Sequence, residues 1–185
     1  MQRMKTHTLL VCLLVLALGA CDYHSARDEF DRQIEICSLA ENNGLLAPAV
    51  EACGAALAIA EEEEYDQDLI SALLYRLGRL ERQRGKFQEA QALVERSLAI
   101  EEQGGIHAAV ASRLVELSFS AASQGRWPDG AQLLERALPL VDDLTGQERK
   151  AAANAFRMFS MRLGMLGHTE QAEHFKVKAQ ELAEL

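Results

Sequence analysis

The sequence predicts an all-α fold built from four consecutive helical hairpins. Of the 185 residues, 49% are hydrophobic but only 5% are aromatic. This balance is typical of alanine- and leucine-rich helices, because sheets favour β-branched and aromatic side chains. An internal repeat is the second indication. Four glycines lie 41, 40 and 42 residues apart, at Gly44, Gly85, Gly125 and Gly167. Such a period is typical of arrays of helical hairpins.

Residues at fixed distances from these glycines keep their size in all four copies. Small residues stand seven positions before each glycine and five and twelve positions after it, and large apolar residues stand eight positions before it. Small residues let two helices approach closely, and large residues fill the groove beside the crossing. The small positions hold Cys37, Gly78, Ser118 and Ser160; Ala49, Ala90, Gly130 and Ala172; and Ala56, Ser97, Ala137 and Ala179.

The first two hairpins each place their glycine between two helices, where a left-handed residue ends the first helix. Ser25 is a suitable N-cap for the first helix, and Asp66 or Asp68 can cap the third. The first four predicted helices span 25–42, 47–63, 67–84 and 87–103.

The last two hairpins carry further start signals. Pro128 suits a first helical turn, because its missing N–H needs no partner there. The run from Thr145 to Glu148 fits a capping box, and Thr169 can cap the last helix. The last four predicted helices span 107–124, 128–143, 146–166 and 169–184.

This pattern resembles the tetratricopeptide repeat (TPR). The second copy carries it most fully, with Leu77-Gly78, Gly85, Phe87, Ala90, Ser97 and Leu98 on the family's positions in order. The usual repeat is about 34 residues long, and the longer period here resembles the variant found in kinesin light chains. The resemblance covers roughly 28–184. It implies a right-handed α-α superhelix that acts as a binding scaffold.

The first residues resemble a bacterial lipoprotein signal. Arg3 and Lys5 precede an uncharged apolar run that is too short to span a bilayer but suits a secretory signal. The run ends in Leu18-Gly19-Ala20-Cys21, which resembles a lipobox. The resemblance implies cleavage before Cys21 and lipidation of that residue. The alternative is an ordinary cleaved signal in which Cys21 has no role.

These features divide the chain into a signal peptide (1–20), a short lipid-anchored tether (21–24) and a helical repeat domain (25–185). Several acyl chains hold a protein firmly to a bilayer. Asp22 resembles the signal that retains lipoproteins in the inner membrane of enteric bacteria. We therefore expect the periplasmic face of the inner membrane, with the outer membrane as the alternative.

Composition and motifs argue against several classes of function. A formal net charge of -9 is a poor match for nucleic acid. The sequence carries no phosphate-binding loop and no hydrolase or metalloprotease motif, so we expect neither an enzyme nor a cofactor. His168 and His174 lie about 240° apart around a helix and share no face for a metal. The acidic run 61–64 is typical of a solvated helix end, so no metal site is expected.

Cys37 and Cys53 form a candidate disulfide. They flank the Gly44 turn at equal distances, which brings them level on facing helices, and an exported chain meets oxidising conditions. The alternative is a pair of free cysteines that serve as small buried residues.

The family resemblance also implies a concave groove lined by the first helix of each hairpin. Its arginines would gather basic charge within an acidic molecule, which suits an acidic or C-terminal peptide. Ordinary solvated arginines and stacking contacts between hairpins are the alternative. By register, the groove residues are Ile34, Ser38, Tyr75, Arg79, Arg82, Val115, Phe119, Arg157 and Met161.

The sequence thus predicts a membrane-anchored periplasmic scaffold that binds a protein or peptide partner in its groove, in cell-envelope assembly or maintenance. One alternative is a structural lipoprotein that self-associates and has no separate ligand. Another is an enzyme of unrecognised type. The sequence leaves the partner, the pathway and the oligomeric state open.

Overall fold

The computed structural model describes residues 25–184, which form eight α-helices and one 3₁₀ turn and contain no strand. The predicted all-α fold of helical hairpins is confirmed. The signal peptide 1–20, the lipidation site Cys21 and the rest of the tether lie outside the described residues. The helices are α1 (25–42), α2 (Leu46–Glu62), α3 (Gln67–Gln83), α4 (Phe87–Gly104), α5 (His107–Ser123), α6 (Trp127–Ala137), α7 (Gly146–Met165) and α8 (Thr169–Glu184).

The chain divides into two units on either side of the link between Asp66 and Gln67. The first unit is the hairpin of α1 and α2. Its core consists mainly of alanines, together with the fully buried Cys37 and Cys53. The ring of Phe30 packs edge-on against Tyr65, with ring centroids 5.0 Å apart. Small side chains bury little apolar area, so this hairpin has a modest core.

The second unit stacks the hairpins α3–α4, α5–α6 and α7–α8. One continuous hydrophobic core joins α4 to α8, with buried members from Val94 to Leu182. Its largest side chains are Phe156, Phe159 and Phe175, all fully buried. Each such ring contributes about 1.5–3 kcal/mol relative to an exposed position.

Every repeat glycine ends the first helix of its hairpin, as predicted. Gly44, Gly85, Gly125 and Gly167 have φ values of 69°, 78°, 74° and 87°. This left-handed conformation is strained for residues with a Cβ, which explains the recurrence of glycine at the turn.

The end of α6 differs from the prediction. We expected a helix over 128–143, but α6 ends at Ala137, and a short 3₁₀ turn follows at Val141–Asp143. The cause is Pro139, which has no N–H to donate and whose ring clashes with the preceding helical turn. The other predicted helix ends lie within one residue of those observed.

The prediction of a capping box at Thr145 is wrong. Thr145 occupies the N-cap of α7 with extended backbone, but its side chain makes no capping hydrogen bond. The next residue, Gly146, has a φ of 53°. This left-handed residue redirects the first turn. The backbone N–H of Glu148, which a capping box would direct to the Thr145 side chain, therefore makes no hydrogen bond with it. Pro128 lies in the first turn of α6, as expected.

Candidate functional site

The predicted groove residues of the second unit fall mainly on two registers. Tyr75, Val115 and Arg157 stand ten positions before their glycines, whereas Arg79, Phe119 and Met161 stand six positions before them. The structure gives these two registers different environments.

The first of these registers faces the next hairpin. The guanidinium of Arg113, on α5, lies 4.3 Å from the ring centroid of Tyr75, on α3. Val115 is only 2% exposed and belongs to the core. Its assignment to the groove is therefore wrong, because its register packs between hairpins. Arg157 shares the register but is exposed.

Arg113 is the centre of a buried polar cluster that the sequence analysis missed. Its Nη2 donates to Oε1 of Glu101 at 2.9 Å, and its Nε donates to Oγ of Ser97 at 3.0 Å. Ser71 of α3 completes the cluster by donating to the same Glu101 oxygen at 2.5 Å. Burial lowers the pKa of Arg113, while the charge of Glu101 opposes this change. The cluster locks α5 onto α3 and α4. The only sequence signal was a charged residue within the apolar run of α5.

The second register stays partly open to solvent on three successive first helices. Arg79 and Phe119 are half-buried and Met161 is 62% exposed. The guanidinium of Arg79 lies 5.8 Å from the Tyr75 ring centroid. We call these three residues the inner register. Because these side chains are partly or largely exposed, they can contact a ligand without any rearrangement of the buried core.

Arg82 does not supply free positive charge. Its Nε donates to Oε1 of Glu116 at 2.5 Å, and its guanidinium lies 5.4 Å from the ring centroid of Phe119. The side chain of Glu116 is only 6% exposed. A buried carboxylate needs a partner, so Arg82 serves this pair. The predicted accumulation of basic charge is therefore wrong at this residue.

An open cavity of about 900 Å³ lies between α7 and α8. Arg157 and Met161 line it, together with small side chains such as Ala179 and Ala183. Its basic lining residues are Arg149, Lys150, Arg157 and Lys176, and no acidic side chain among the described residues lines it. We call this surface the α7–α8 cavity.

The basic side chains of this cavity are only partly neutralised. Arg149 donates to the backbone oxygen of Leu144 at 2.7 Å, and Arg157 donates to Oδ1 of Asn154 at 2.8 Å. These acceptors carry no net charge. Lys176 is paired with Glu173 at 3.0 Å. The cavity is therefore a positive region in a chain of net charge -9.

The first unit holds the remaining predicted site residues. Ile34 and Ser38 are half-buried on α1, and the hydroxyl of Ser38 donates to the backbone oxygen of Ile34 at 2.8 Å. The sulfurs of Cys37 and Cys53 lie at disulfide distance, with Cα atoms 5.2 Å apart. This Cα separation is ordinary for a disulfide.

Two further properties concern residues 25–184. Within this range, no cluster of His, Cys, Asp or Glu could hold a metal ion. No helix in it is both long and apolar enough to cross a bilayer.

The fold is similar to those of several solved TPR-like proteins. A Podosopora anserina kinesin light chain protein with nearly identical TPR-like repeats superposes with a TM-score of 0.62 at 19% identity, over 83% of this chain and 74% of that one. MamA gives 0.63 at 16% identity, over 84% and 78%. BtubC from P. vanneervenii gives 0.69 at 21% identity, over 80% and 61%. No family model matches the sequence, and neither does any curated protein. These likenesses establish a TPR-like fold.

Proposed function

We propose that this chain is a membrane-anchored scaffold that binds a protein or peptide partner along its inner register, and that it has no catalytic role. The observation that carries the proposal is the contrast between neighbouring registers of one face. Tyr75 and Val115 are used in stacking, whereas Arg79, Phe119 and Met161 stay accessible. Arginine and aromatic residues are enriched where interfaces gain most of their binding energy.

The lipobox supports the membrane part of the proposal. Lipid on Cys21 would leave only Asp22, Tyr23 and His24 between the anchor and α1. Four extended residues reach about 14 Å, so the helical body would stay close to the bilayer. Anchoring raises the local concentration of the scaffold for partners at the same membrane. Asp22 favours the periplasmic face of the inner membrane, where a role in envelope assembly or maintenance fits.

Reversal of one charge tests the binding face. The full-length Arg79→Glu variant should capture its partner from solubilised membranes at least tenfold less efficiently than the wild type, because a central interface arginine is worth about 2 kcal/mol or more. Lys86→Glu is the matched control, since Lys86 has a side chain 57% exposed and lies at the α3–α4 turn, away from the inner register. The free energy of unfolding of both variants should lie within about 0.5 kcal/mol of that of the wild type. Equal capture by both variants would refute binding at the inner register.

A further inference from the structure

The α7–α8 cavity lies where a helix packs in the two preceding hairpins. We call the surface of a hairpin that receives this helix its seat. Four positions define the seat: fourteen and seven before the repeat glycine, and twelve and sixteen after it. In α3–α4 and in α5–α6 all eight of these residues are buried. They are Ser71, Gly78, Ser97 and Glu101, then Ala111, Ser118, Ala137 and Val141. The α7–α8 counterparts are Ala153, Ser160, Ala179 and Ala183, all of which line the open cavity.

The helix on each filled seat is the first helix of the next hairpin. On α3–α4, Arg113 of α5 bonds to Ser97 and Glu101. On α5–α6, Phe159 of α7 packs against Trp127, with ring centroids 5.1 Å apart. Among the described residues, only those of α7, α8 and the turn before α7 line the α7–α8 cavity.

The docking side of such a helix can be recognised by register. Positions eight and five before the glycine are Leu117 and Ser120 in α5, and both are buried. In α7 the first of these positions is the fully buried Phe159. In α1 the same two positions are Ile36 and Leu39, which are 42% and 56% exposed. Eight positions before the glycine, α1 therefore exposes an apolar side chain where α3, α5 and α7 bury theirs. Five positions before it, α1 exposes Leu39 where α3 and α5 bury their residues and α7 carries the exposed Arg162.

The two open surfaces carry opposite charge. Helix α1 contains five acidic and two basic side chains. One of its two basic residues, Arg32, is paired with Glu29 on the same helix. Within the described part of the chain, the α7–α8 cavity has four basic lining residues and no acidic one. Complementary charge steers two surfaces together and suppresses other pairings.

We propose that copies of this chain associate head to tail, with α1 of one copy seated in the α7–α8 cavity of another. The occupant packs Ile36 and Leu39 onto the small residues of the cavity, and its acidic side chains meet the basic lining. A head-to-tail interface is not self-complementary, so copies joined by it can close into a ring or extend into an open row. Anchoring to a membrane favours this association by confining the copies to two dimensions. The inner register takes no part in the contact except at Met161, so a row of copies would still present Arg79 and Phe119 to a partner.

Paired cysteines in the full-length, membrane-anchored protein test the arrangement. One tagged copy carries Leu39→Cys and a second, differently tagged copy carries Ala183→Cys. Mild oxidation should link the mixed pair at least tenfold more efficiently than two Leu39→Cys copies or two Ala183→Cys copies. Equal linking in all three combinations, or no linking at all, would overturn the proposal. So would linkage of Ala183→Cys to a different protein only, since the occupant would then be a heterologous partner.

Charge reversal in the cavity provides the second measurement. Lys150→Glu with Arg157→Glu, added to the Ala183→Cys copy, should reduce the mixed product at least tenfold. Lys86→Glu with Arg136→Glu is the matched control, because both side chains are more than half exposed and lie outside the cavity. A similar loss in the control pair would show a general charge effect and overturn the proposal. Because Arg79 is unchanged in every variant, failure here leaves the proposed partner-binding function intact.

Discussion

Gly130 shows how a single side chain sets the spacing of two helices. It stands where TPR-like copies usually carry alanine. A Cβ at this position would lie 2.7 Å from Cε1 of Phe159 and nearer still to its Cζ. The Phe159 ring is fully buried and packs against Trp127, so it has little room to yield. The large residue of the fourth repeat thus requires glycine in the third.

Gly130→Ala should therefore destabilise the second unit. Overpacking of a core costs about 1–3 kcal/mol, which outweighs the gain in helix propensity, about 1 kcal/mol. Gly164→Ala is the matched control, because its Cβ would meet only Ala172 at an ordinary 3.9 Å. The control should be as stable as the wild type or slightly more stable. Denaturant unfolding measures both variants, and equal stabilities would show that Phe159 does not constrain position 130.

At this scale the sequence could predict which positions are small but not which partners polar residues find. Arg82 and Arg113 have the same side chain, yet one pairs with Glu116 and the other with Glu101. Both pairs join residues of different helices, so local spacing carries no signal for them. Val115 was misplaced for a related reason. Spacing identified its register, but only packing between hairpins shows which registers the stack covers.

The helices illustrate what local patterns determine well. Glycine at each turn, and the period of large and small residues, located all eight helices and most of their ends. The one large error was α6, where an apolar pattern continued past Pro139 while the backbone did not. Ile36 is a second exception, since its register is buried in α3, α5 and α7 but 42% exposed in α1. A pattern specifies a docking face but does not show whether another helix covers it.

We expect the α1–α2 hairpin to depend on its cysteines more than a hairpin with a larger core would. Apart from Cys37 and Cys53, its buried apolar residues are alanines with Phe30 and Leu57. We predict that the two cysteines are bonded in the exported protein and that Cys37→Ala with Cys53→Ala destabilises this hairpin. The cost should be about 3 kcal/mol, on a loop-closure basis.

A non-reducing peptide map and thermal unfolding test this prediction together. The map should recover the two cysteines in one linked peptide. Reductant should lower the melting temperature of the wild type but leave the double variant unchanged. Two freely alkylated cysteines in untreated protein, or a variant as stable as the wild type, would contradict the prediction.

On the scale of the whole molecule, the proposed lipid anchor would determine where the scaffold acts. The apolar run followed by Leu18-Gly19-Ala20-Cys21 predicts a lipidated and processed chain. Cys21→Ala should abolish fatty-acid labelling and leave an unprocessed or released protein. Metabolic labelling followed by membrane fractionation measures both effects. Cys12→Ala, within the signal peptide, is the control and should be labelled normally. A wild-type protein without label would contradict lipidation.

The hairpins themselves were predictable because repetition multiplies a weak signal. One hairpin pattern would be ambiguous, but four copies in register predict a series of helical hairpins. The proposed binding surface was less predictable, because it consists of the positions that the stacking of hairpins leaves uncovered. Arg79, Phe119 and Met161 were identified by register, while the basic α7–α8 cavity emerged only once the helices were in place.

The central claim is that the inner register meets a protein partner, and site-specific photo-crosslinking in living cells tests it most directly. A photoreactive residue replaces Phe119, which is half-buried on the inner register, or Ala99, which is exposed on α4 outside it. We expect a discrete crosslinked protein from position 119, much weaker after Arg79→Glu, and none from position 99. Equal products from both positions, or no product from position 119, would contradict the claim.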